Sequence, residues 1–158
     1  MNTADLYDLV WSDDSVASYV MLVGPSEILR YVKPDRVERC YILHTALYGK
    51  KKKKKNDSPL VSGSRGHWFC VILRHGFPAE IFDTHGDAVS CNSDVNKFIN
   101  VYGSNNVNGN LLNNRFCGFY CLVYAYLRSR NMSPRSVIKV LARCEDIRLL
   151  CFSLYGGK

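Results

Sequence analysis

One thiol, one imidazole and one carboxylate stand where they could perform nucleophilic chemistry. Cys117 separates a polar stretch rich in asparagine and glycine, Gly103 to Arg115, from an apolar run that reads as a buried helix from Cys117 to about Arg130. A thiol at a helix N-terminus feels the positive end of the helix dipole, which lowers its pKa and raises its thiolate fraction. Gly118 leaves room beside the sulfur for a substrate backbone. The Cys117 backbone N–H, in a position the helical ladder leaves unused, can point at a developing oxyanion. On this stretch alone the bland reading weighs as much: Cys117 and Cys121 are four apart, and most such cysteines are small apolar core residues.

A nucleophilic cysteine needs a base to take its proton and a third group to hold that base. His67 opens the apolar run HWFCVILR directly after a glycine-rich loop, and Asp83 ends the following run AEIFD. If the two runs pair as strands, the turn His75 to Pro78 joins their near ends and brings His67 and Asp83 together at the far end. His44, His75 and His85 compete for the role of base, the latter two more weakly because they lie in a turn and a loop. Taken singly, His67 also reads as a structural histidine and Asp83 as a turn-forming aspartate before Thr84. No C-x-x-C pair occurs, and the cysteines and histidines do not reach metal-ligand spacing, so no metal is expected.

The elements that must position these groups follow from the pattern of apolar residues and breakers. Residues 3 to 11 are weakly helical, and Gly24-Pro25-Ser26-Glu27 announces a turn into a short helix that Pro34 stops. Cys40 to Ala46 has strand bias, and the two runs around the His75 to Pro78 turn make a hairpin-like pair. Ser93 is expected to cap a helix through about Val101 carrying Val95, Phe98 and Ile99 on one face. Ser133 and Pro134 open another, with Val137, Val140 and Leu141 on its face. Residues 154 to 158 read as a frayed tail. With no internal repeat and no second boundary, the expectation is a single domain over residues 1–158, of α+β class.

The 158 residues carry a net charge of +7, which would suggest a nucleic-acid partner. Lys50, Lys51, Lys52, Lys53, Lys54 and Lys55 supply most of that excess, and the rest of the chain is nearly neutral. Such a run reads first as a solvated tip in a basic, flexible loop over residues 50–66. Its sharper reading is a phosphate-contacting or nuclear-import patch with salt-dependent, sequence-independent affinity for DNA. Asp5, Asp8, Asp13 and Asp14 lie where a secretory signal needs positive charge, and seven cysteines is an odd number. Reduced thiols in an intracellular, non-secreted protein with no membrane span are expected.

Three motifs in order, Gly66-His67-Trp68, Phe82-Asp83-Thr84-His85-Gly86 and Cys117-Gly118-Phe119-Tyr120-Cys121, resemble the adenovirus maturation protease (adenain) and its relatives. The same order is seen in the ubiquitin-like-protein (SUMO) proteases. Weaker likenesses at Val23 to Leu29 and Tyr41 to Thr45 extend the resemblance over roughly residues 20 to 145. It implies a papain-like, adenain-like fold: a central mixed sheet flanked by helices, with the nucleophile at the head of a buried helix. It implies Cys117 as nucleophile, His67 as base, Asp83 as its orienting group and Trp68 as a cleft wall. The family's oxyanion glutamine, about seven residues before the cysteine, is replaced here, where counting back reaches Asn110, with Asn113 and Asn114 nearer. The implied function is a thiol endopeptidase of viral maturation, a monomer, cutting capsid or core precursors at glycine-containing sites in the host nucleus or virion. DNA or a peptide activator is its only implied auxiliary. A deconjugase of ubiquitin-like modifiers and an inactive protease-fold virion or nucleic-acid-binding protein are the alternatives. Leu154-Tyr155-Gly156-Gly157 resembles a site these enzymes cut, although a flexible tail is the stronger reading.

Overall fold

The structure is a computed structural model that describes residues 2–46, 66–84, 92–108 and 114–156. Its order is α1 (Thr3–Trp11), α2 (Asp14–Tyr19), β1 (Val20–Pro25), a 3-10 turn (Ser26–Arg30), β2 (Arg39–Ala46), β3 (Gly66–Leu73), β4 (Ala79–Asp83), α3 (Ser93–Tyr102), β5 (Ser104–Asn108), a second 3-10 turn (Asn114–Phe116), α4 (Cys117–Ser129), α5 (Pro134–Arg143) and α6 (Ile147–Gly156). The class is α+β. The five strands form one mixed sheet in the order β1-β2-β3-β4-β5, the two outer pairs parallel and the two inner pairs antiparallel.

Both faces of the sheet are covered, which explains why β3 and β4 are apolar runs rather than alternating ones. On one face Ile42, Trp68, Cys70, Ile72 and Phe82 pack with Leu122, Val123 and Tyr124 of α4, and with α1, α5 and α6 behind them. On the other, Leu43, Phe69, Val71 and Ile81 meet Val95 and Phe98 of α3 and Leu29 of the first 3-10 turn. Eight residues of α4 are buried, so this helix is the centre of the larger core. Its long axis is fixed at the far end by charge. Arg128 Nη2 donates to Glu80 Oε1 at 2.8 Å, and the Tyr124 hydroxyl donates to Glu80 Oε2 at 2.6 Å.

Several elements depart from the sequence expectation. Residues around Gly24 and Pro25 belong to β1, and Pro25 is tolerated because β1 is an edge strand and Pro25 is its last residue. β5 lies in the stretch expected to be loop; it is polar and held by parallel pairing with β4 rather than by strand propensity. The cap of α3 is Asn92, one residue earlier than Ser93, and accepts from the N–H groups of Asp94 and Val95. Val140, expected on the packed face of α5, is 37% exposed, whereas Val137 and Leu141 are buried. Residues 154 to 156, expected to fray, finish α6: Tyr155 is buried and its hydroxyl donates to the Leu122 carbonyl at 2.7 Å. Gly66, placed in the basic loop by sequence, is the first residue of β3, and Lys50 to Lys55 with Gly157 and Lys158 lie outside the described residues.

Candidate active site

β3 and β4 deliver the base and its partner. The register pairs Cys70 with Phe82, which carries Asp83 one step further toward the end where β3 begins with Gly66 and His67. His67 Nε2 and Asp83 Oδ1 are hydrogen-bonded, with His67 1% and Asp83 0% exposed. A carboxylate on Nε2 leaves Nδ1 as the nitrogen available to a third group.

That group is Cys117, the first residue of α4. Its Sγ accepts the Trp68 backbone N–H at 3.4 Å, and it is also hydrogen-bonded to His67 and to the Gly118 backbone N–H. The helix dipole, two peptide N–H groups and an imidazole therefore converge on one sulfur, 49 residues away in sequence from the strand that meets it. Cys117 is 8% exposed.

The electrostatics follow. Burial alone would push the Cys117 thiol up, but the His67 hydrogen bond, the Trp68 and Gly118 N–H groups and the charge of His67 outweigh it and hold the pKa below its ordinary 9.0. Burial would likewise lower His67, but hydrogen bonds to Asp83 and Cys117, together with their charges, raise it from 6.5 to about 9. Opposite displacements in two bonded groups shift the pair toward thiolate and imidazolium. The neighbouring thiols behave otherwise. Burial pushes Cys40, Cys70 and Cys121 up, and Cys151 up to about 12.

Of the groups singled out from sequence, Cys117, His67, Asp83, Trp68 and Gly118 come together. Trp68 is 5% exposed, so its indole belongs to the core, and its backbone N–H is what touches the sulfur. Gly118, expected to leave space, also contributes a backbone donor. His75 sits in the turn between β3 and β4, away from the other end where His67 lies. His44 pairs across the strands with Trp68 and does not replace His67. Asn110 and Asn113, and His85, lie outside the described residues.

One contributor is missed by sequence reasoning. Thr45 on β2 is the cross-strand partner of His67 and is 4% exposed, and its hydroxyl accepts from Asn92 Nδ2 at 2.8 Å. The Asn92 carbonyl oxygen simultaneously caps α3, so one amide ties that helix to the strand beside the base. The available signal is Asn92 followed by Ser93 and Asp94, an N-cap pattern assigned one residue late.

Among the described residues no cluster of His, Cys, Asp and Glu is placed to hold a metal ion, and no helix is long and apolar enough to cross a membrane. Comparison of the chain with models of protein families, with curated proteins and with solved structures found no match.

Proposed function

We propose that the protein is a cysteine endopeptidase in which Cys117 is the nucleophile, His67 the base and Asp83 the group that holds the base. The observation carrying this reading is His67 bonded at once to a buried carboxylate and to a thiol whose pKa is held down. The mixed sheet with α4 packed on it supports the finer reading of an adenain-like fold, together with the three ordered motifs.

The chemistry runs in two halves. The Cys117 thiolate attacks the scissile carbonyl carbon, and the oxyanion is met by backbone N–H groups at the head of α4, Cys117 first. As the C–N bond breaks, His67 gives its proton to the leaving amine, and an acyl thioester remains on Sγ. Water then attacks the thioester with His67 as base, releasing the carboxylic acid and restoring the ion pair. Asp83 keeps the ring oriented and stabilises its charged form throughout. Capsid or core precursors with glycine-containing sites are the proposed substrates.

A peptide containing a Leu-x-Gly-Gly sequence tests this directly. The wild-type chain should hydrolyse it and Cys117→Ala should not, while circular dichroism of the variant stays native. Turnover retained by Cys117→Ala would end the assignment.

A further inference from the structure

The histidine left over from the sequence reading has a place of its own. His44 faces Trp68 across the β2–β3 pair, with ring centroids 4.8 Å apart and 60° between the planes. The same imidazole lies over Gly66: a Cβ added there would come within 1.8 Å of His44 Nε2 and 2.6 Å of Cε1. All three nearest atoms to that hypothetical Cβ belong to His44. The ring therefore fills the space that a side chain at residue 66 would occupy, and it rests against the next residue but one.

Between Gly66 and Trp68 is the base. The tripeptide that His44 covers carries His67 in its middle, and its last N–H holds Cys117 Sγ at 3.4 Å. Peptide planes are stiff, so a displacement of Gly66 or Trp68 moves both the imidazole and the donor to the sulfur. The groups facing His44 are consistent with this position. Burial and the positive charge of His67 hold its pKa below 6.5, against the opposing pull of Glu27.

We propose that His44 is a positioning residue of the hydrolytic site: its ring, wedged against the Gly66 backbone and the Trp68 indole, sets the tripeptide that aligns base and nucleophile. The inference rests on the peptidase reading but adds a residue that acts through the Gly66 backbone and the Trp68 indole. It also explains why residue 66 is glycine here, since the space above it is taken.

The test compares His44→Ala, His44→Phe, Gly66→Ala and the double variant His44→Ala/Gly66→Ala. Two readouts are used, the rate of Cys117 alkylation by iodoacetamide at pH 7 and kcat and KM on the Gly-Gly peptide. Losing alignment without losing binding should lower kcat and alkylation in His44→Ala by roughly tenfold with KM nearly unchanged. His44→Phe, which keeps a flat ring, should stay within about twofold of wild type. Gly66→Ala should be damaging alone and add nothing in the His44→Ala background, because the clash it creates is with His44 itself. If the alanine variant does not fold, His44→Leu, which keeps bulk without a flat ring, takes its place. Wild-type kinetics in His44→Ala or His44→Leu, or a Gly66→Ala penalty that persists without the imidazole, would overturn the proposal. A wild-type Cys117 that reacts no faster than an ordinary thiol would instead refute the peptidase reading, a distinct result.

Discussion

Asp83→Asn isolates the contribution of the buried carboxylate with almost no change in volume. In the wild-type chain Asp83 is fully buried against His67 Nε2 and helps raise the imidazole from 6.5 to about 9. An asparagine at that place removes the negative charge, and its NH2 can donate to Nε2. The ring would then carry its proton on Nδ1, the nitrogen needed to accept the thiol proton. If the His67 pKa falls back toward 6.5, the change is worth ~3 kcal/mol, or roughly two orders of magnitude in the population of the ion pair. The Cys117 bond to His67 contributes part of the elevation, so this is an upper figure for the charge alone. The tautomer penalty adds to it in turnover. The assay is iodoacetamide alkylation of Cys117 from pH 5 to 10, run beside peptide hydrolysis, with thermal melting to show that the variant folds. Alkylation at pH 7 should fall by roughly a hundredfold and the thiol titration should move toward 9. A folded Asp83→Asn that alkylates as fast as wild type would refute the claim that Asp83 sustains the pair.

Two further outcomes follow from the same structure. Peptide hydrolysis should rise with pH as Cys117 deprotonates below 9.0 and decline as His67 loses its proton near pH 9, because the leaving amine then lacks its acid; a profile still climbing above pH 10 would contradict this order of titration. Glu80→Gln should lower unfolding stability by about 3 kcal/mol in urea melts, since it leaves Arg128, whose side chain is 10% exposed, with a weakened buried partner; a loss under 1 kcal/mol would show that the network does not anchor α4.

The parts of this site readable from sequence are those announced by local patterns. The apolar runs of β3 and β4 around a Gly-Phe-Pro turn, and the change from polar loop to apolar helix at Cys117, each mark their own element. Once the hairpin is granted, His67 and Asp83 must share an end. Elements held by partners rather than by their own residues are illegible. β5 has a single buried apolar residue, Val107, and exists because β4 offers it a parallel edge. β1 ends in Gly24-Pro25, a pair that looks like a turn until the edge position is known.

α6 differs from these, because its signal is present in the sequence. Ile147, Cys151 and Tyr155 recur at helical spacing, and Asp146 accepts from the Arg148 N–H at 3.0 Å to start the helix, but the glycines at 156 and 157 suggest a loose tail. His44 is the opposite case. Its type and position make it only one more candidate base, and its contact with Gly66 and Trp68 depends on a β2–β3 register that no local pattern encodes.

Catalysis by Cys117 requires a single sulfur to be ionised while its neighbours are not. Brief treatment of the native chain with iodoacetamide at pH 6.5, followed by mass spectrometry of its peptides, measures this. Cys117 should be modified first and far ahead of Cys40, Cys70 and Cys121, whose thiols burial pushes up. Labelling of Cys117 no faster than that of the unfolded chain at the same pH would contradict the ion pair and the function built on it.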